Sequence, residues 1–111
     1  MFQLKFLLMI GSAIALSAGV VNAQTTYQAN VIENIVAIQM AQTQCGYKVN
    51  YGMLAITMNA VSLRAEDLLP GGKYSRGVER NQARVQQLVA TDSGKSSFCR
   101  QVRRDLSAMF D

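Results

Sequence analysis

Asn30-Val31-Ile32-Glu33-Asn34-Ile35-Val36-Ala37-Ile38-Gln39-Met40-Ala41-Gln42-Thr43-Gln44-Cys45-Gly46 is the stretch on which the fold turns. Val31, Ile35, Ile38, Gln42 and Cys45 recur at spacings of four and three, which lines them along one side of a helix. Ile32, Val36 and Met40 widen that side until most of the helix must be buried. Asn30 followed three residues later by Glu33 has the form of a capping box. The Asn30 side chain would accept from a backbone N–H and Glu33 would reach back, so the helix is expected to start there. Gly46 supplies a left-handed stop.

Three further segments carry the same period. The second starts at Asn50, a good N-cap, and places Tyr51, Leu54, Met58, Val61, Ala65 and Leu68 on one face, running toward Leu69 until Pro70-Gly71-Gly72 ends it. The third sets Tyr74, Val78, Val85 and Leu88 on a stripe interrupted by Asn81. Gly77 blurs its start, and it fades into Thr91-Asp92-Ser93-Gly94. The fourth takes Ser96 or Ser97 as its cap and aligns Cys99, Val102, Leu106 and Met109, with Phe110 beside them. The fold class expected is all-α, a small four-helix bundle in up-down-up-down order or an orthogonal four-helix array. Met40, Met53, Met58 and Met109 fall mainly at core spacing and serve as gap fillers.

Cys45 and Cys99 are the two cysteines of the chain. One falls in the last turn of the first helix and the other, by this reading, in the first turn of the fourth. Antiparallel neighbours bring those points to one end of the bundle, so a Cys45–Cys99 disulfide should clasp it. A reactive or metal-binding thiol pair has no support: there is no Cys-x-x-Cys and no histidine.

The N-terminus explains why a disulfide is permitted. Met1 to Lys5 brings one positive charge, and Phe6 to Val21 follows as sixteen residues without a charge. Val21-Asn22-Ala23 then presents small residues at the positions a signal peptidase reads. Residues 1–23 are therefore expected to be a cleaved signal peptide and residues 24–111 a single exported helical domain. Diluted by Gly11, Ser12, Ser17 and Gly19, the apolar run falls short of the roughly 20 residues a membrane span needs, so no transmembrane helix is expected in the mature chain. The compartment implied is the periplasm, with secretion beyond it as the alternative. A domain this small buries only about 60–65% of its unfolded surface, which makes a cross-link valuable.

Motifs for chemistry are few. Gly71-Gly72-Lys73 fails as a phosphate loop, because Asp67 stands where the first glycine belongs and Tyr74 where Ser or Thr would bind magnesium. The adjacent acids Glu66 and Asp67 point about 100° apart on a helix and do not face one cleft. Without histidine a serine or cysteine nucleophile lacks its usual base, and no ligand set for a metal or cofactor presents itself. Enzyme activity is not expected.

One constellation rises above background. Lys73 onward carries eight bases against four acids, whereas Gln24 to Gly72 carries two against three. Arg76, Arg80 and Arg84 recur every four residues on the third helix, and Arg100, Arg103 and Arg104 lie off the inward stripe of the fourth. If those helices are neighbours, the six arginines form a candidate patch for an anionic partner: an acidic protein face, lipid head groups or an anionic polysaccharide. Nucleic acid is disfavoured, since no aromatics interleave with the basic residues. The chain is thus expected to be a macromolecular interaction module. A periplasmic stress chaperone and an immunity or inhibitor protein for an envelope enzyme or toxin are the alternatives. Small helical proteins of both kinds share its size and format, and no residue motif transfers a site from either. The exported protein should begin at Gln24 by N-terminal sequencing or intact mass, and a product beginning elsewhere would displace the cleavage site.

Overall fold

A computed structural model describes residues 26–111. The expected signal peptide, residues 1–23, lies outside the described residues. The elements in order are α1 (Thr26–Cys45), α2 (Tyr51–Ala60), a one-turn α3 (Ala65–Leu68), α4 (Ser75–Leu88), α5 (Asp92–Asp105) and a 3-10 turn (Ser107–Met109). The protein is all-α, a small helical bundle closed by the Cys45–Cys99 disulfide.

The first helix is the axis of the molecule. Ile35, Val36, Ala37 and Ile38 are all buried, and four consecutive residues cover a full helical turn, so α1 is covered on every side over this stretch. Helices α2, α4 and α5 all pack against it. The chain is already helical at Thr26, the first described residue, more than a turn before the start that the sequence suggested. Asn30 is therefore not a cap but a buried residue inside the helix, and Glu33 is free to point elsewhere. Gln42, expected on the apolar stripe, is exposed and accepts a hydrogen bond from the Tyr51 hydroxyl at 3.1 Å. Gly46 does stop the helix, at a φ of +73°.

Asn50 caps α2 as expected, its side chain accepting from the Met53 amide at 3.1 Å. The long second helix, however, breaks after Ala60. Ser62 takes a left-handed φ of 59°, and the Leu63 amide turns back to the Met58 carbonyl at 2.9 Å. Continuing as helix would have favoured the stripe through Val61 and Ala65; breaking instead buries Leu63 in the core. Gln28 of α1 supports the break by donating to the Val61 carbonyl at 2.9 Å, an oxygen that the interrupted helix leaves without its own donor. In the turn before α4, Gly72 is required because a Cβ there would collide with the Glu66 carbonyl oxygen.

The fourth main helix also starts earlier than expected. Thr91, not Ser96 or Ser97, is the N-cap of α5 and accepts from the Gly94 amide at 3.0 Å. The stretch read as a fading end of α4 is thus the tight start of the next helix. Gly94 permits this, since a Cβ would run into the Leu88 carbonyl oxygen. Cys99 is consequently in the middle of α5 rather than in its first turn. The disulfide ties the end of α1 to the middle of α5, with a Cα–Cα distance of 5.8 Å. Phe98 and Val102 point into the core on either side of it.

The chain does not finish as helix. After α5, Phe110 forms an antiparallel bridge with Val49. The Asn50 amide donates to the Met109 carbonyl at 2.8 Å, and the Asp111 amide to the Lys48 carbonyl at 2.9 Å. Met109 and Phe110 are thereby buried against the start of α2. The loop closed by the disulfide spans 54 residues, for which chain entropy alone gives up to about 4 kcal/mol. The double variant C45A/C99A should lower unfolding free energy by 2 to 4 kcal/mol in a denaturant titration (~, from the same chain-entropy argument). A loss under about 1 kcal/mol would show that helix packing alone fixes α1 against α5.

Candidate arginine-bearing site

The six candidate arginines, Arg76, Arg80 and Arg84 on α4 and Arg100, Arg103 and Arg104 on α5, are all exposed. Helices α4 and α5 pack against each other through a short connection. Half of the six are engaged within the protein. Arg84 donates from Nη1 to Glu33 Oε2 on α1 at 3.3 Å. Arg104 pairs with neighbouring Asp105 at 3.3 Å, and Arg103 lies over the Tyr47 ring at 4.6 Å and the Phe110 ring at 5.9 Å. Among the described residues Arg76, Arg80 and Arg100 make no ion pair.

Local geometry explains the division. Residues four apart on a helix drift by about 40° per step. The row Arg76, Arg80, Arg84 therefore winds from the solvent side of α4 toward its flank against α1, and only Arg84 arrives beside Glu33. On α5, Arg103 leans to the side of Cys99, where the Gly46 turn has delivered Tyr47. The Tyr47 hydroxyl donates to the Cys99 carbonyl at 3.0 Å, and its ring meets Phe110 edge-on at 5.4 Å. Arg103 thus covers the disulfide end of α1. Arg84 meets α1 at Glu33, about 18 Å away along the helix from Cys45. Arg84 is thus anchored on α1 itself, and Arg103 on the Tyr47 turn beyond its C-terminal end.

Glu33 is the residue that sequence reasoning placed wrongly. It is the only charged side chain in α1, and its side chain is 13% exposed at the packed boundary with α4. Burial pushes its carboxyl up from the ordinary 4.5 to about 7, with Arg84 pulling the other way and only partly offsetting it. The signal was present in the sequence, as a lone acid inside an otherwise uncharged helix, but the capping-box pattern claimed it.

Elsewhere, the exposed side of α2 is uncharged and shows Tyr51 and Ile56 to solvent. No described helix is long and apolar enough to cross a membrane. Comparison with protein-family models, curated proteins and solved structures gives no match for the chain.

A carboxyl that holds its proton more tightly folded than unfolded contributes stability that is full below pH 4.5 and is lost as pH rises toward 7. The melting temperature should accordingly fall from mildly acidic to mildly alkaline buffer, and E33Q should flatten that dependence. R84Q, which removes the one favourable charge, should push the Glu33 titration higher still. An E33Q profile that overlays the unmodified one across this range would remove Glu33 as its source.

Proposed function

We propose that this chain is a small exported protein of the periplasm that acts as an interaction module, binding an anionic macromolecule through the arginines of α4 and α5. The observation that supports the reading is the state of those arginines. Arg76, Arg80 and Arg100 are held at fixed positions on packed helices, exposed, and without an acid of this protein to neutralise them among the described residues. Ordered cations on rigid elements steer and orient an anionic partner better than cations on mobile loops do. The role is one of binding, not catalysis. An immunity or inhibitor protein that covers an acidic face of an enzyme or toxin is a special case of it.

A stress chaperone opened by acid is less well supported. Protonation of Glu33 favours the folded state, so this residue works against loosening at mildly acidic pH.

The test is capture by the exported, oxidised protein from an envelope extract, comparing the unmodified chain with R76E/R80E. Arg84 is left in place because its reversal would disturb the contact with α1. Circular dichroism should be unchanged, and recovery of the captured species should drop about tenfold or more, with a matching loss as salt is raised. Equal recovery by R76E/R80E and the unmodified chain would take the α4 arginines out of the interface.

A further inference from the structure

We propose that Glu33 is a proton-operated latch on Arg84: charged, it holds the guanidinium against α1, and protonated, it releases Arg84 to join Arg80 and Arg76 on the anion-binding face of α4. The inference rests on the role proposed for that face and adds its regulation.

Among the described residues Glu33 forms an ion pair with Arg84 and with no other charge. Glu33 has no charged neighbour on its own helix, where Tyr27 is the only other side chain able to titrate and Cys45 is held in the disulfide. On α4 the charged groups are Arg76, Glu79, Arg80 and Arg84. Arg84 alone reaches Glu33, and Glu79 lies about 140° around the helix from it. Tyr74, the cap of α4, is turned to Gln28 at 3.4 Å. The α2 helix carries no charge, only the Tyr51 phenol that is turned to Gln42. On α5 the charged residues are Asp92, Lys95, Arg100, Arg103, Arg104 and Asp105, and none of them forms an ion pair with Glu33 among the described residues.

The two partners sit differently toward water, and that gives the latch its direction. Glu33 is 13% exposed and Arg84 43% exposed, so the carboxyl is the mostly buried anchor and the guanidinium the part at the rim. Losing the carboxylate charge costs Arg84 a charge-assisted hydrogen bond and leaves at most an ordinary one. An exposed arginine has water as a ready alternative, and an anionic ligand on the same face as a better one. The raised pKa of Glu33, about 7, sets the change near neutral pH rather than in the usual carboxylate range. One more cation would then face the ligand at pH 6 than at pH 8.

Two measurements on the exported chain with its disulfide intact test this. In the first, NMR follows the Glu33 carboxyl carbon and the Arg84 Nε–Hε signal from pH 5 to 8.5; both should move together with a midpoint near 7. An Arg84 signal that ignores Glu33, or a Glu33 midpoint in the ordinary carboxylate range, overturns the latch. In the second, heparin serves as a polyanionic probe at pH 8. E33Q should bind it about two- to fivefold more tightly than the unmodified chain, the size an exposed charge contact supports. R84Q alone should change little, because its arginine is already engaged, and E33Q/R84Q should lose the gain. A gain kept in E33Q/R84Q would mean that the Glu33 charge acts without Arg84, and the proposal fails. Absence of heparin binding in every variant, with the two NMR signals still coupled, would sink the anion-binding reading while the latch stands.

Discussion

Everything in this small protein is arranged around the need to cover α1. A helix that buries Ile35, Val36, Ala37 and Ile38 in succession has no solvent side over that stretch, and so must be surrounded rather than merely packed against. Four apolar residues in a row are costly to leave in water, at roughly 1.5 to 3 kcal/mol for each large one. That demand accounts for the positions of α2, α4 and α5, all of which touch α1. It also accounts for the break at Ser62, which turns Leu63 into the core at the expense of a longer, more regular helix.

Closure takes place at the C-terminal end of α1, where several weak constraints meet one covalent one. The disulfide fixes α5 there, and Gly46 redirects the chain so that Tyr47 lies along α5. Phe110 comes back to pack on the Tyr47 ring and to bridge with Val49, which ties the last residues to the start of α2. In a domain of this size each such tie replaces core that is not there. The backbone hydrogen bonds of the short bridge hold Met109 and Phe110 in the core without the extra turn of helix that their spacing suggested.

The same demand for coverage separates the charges. α1 keeps one, α2 none, and all of the arginines but Arg64 lie exposed on α4 and α5. Where the wide apolar surface of α1 meets the cationic row of α4, the single acid of α1, Glu33, sits mostly out of water beside Arg84. An acid there is penalised by desolvation and only partly compensated by its partner, the condition under which a carboxyl titrates near neutrality.

The sequence by itself determined the helical class, the cysteine pair, the stop at Gly46, the cap at Asn50 and the exposed position of the arginines. These depend on period, on glycine and on short-range capping, all of which act within a few residues. Only the tertiary structure decided that α1 runs through Asn30, where α5 begins, that the second helix breaks at Ser62, that Met109 and Phe110 end in a bridge, and that Glu33 belongs to Arg84 rather than to Asn30. Asn30 and Glu33 fit a capping box locally, as Ser96 and Ser97 fit a cap, and several local solutions of nearly equal free energy were open at each place. Burial of Leu63, of Phe98 and of the whole circumference of α1 chose among them, because contacts between residues distant in sequence outweigh a capping preference of about 1 kcal/mol.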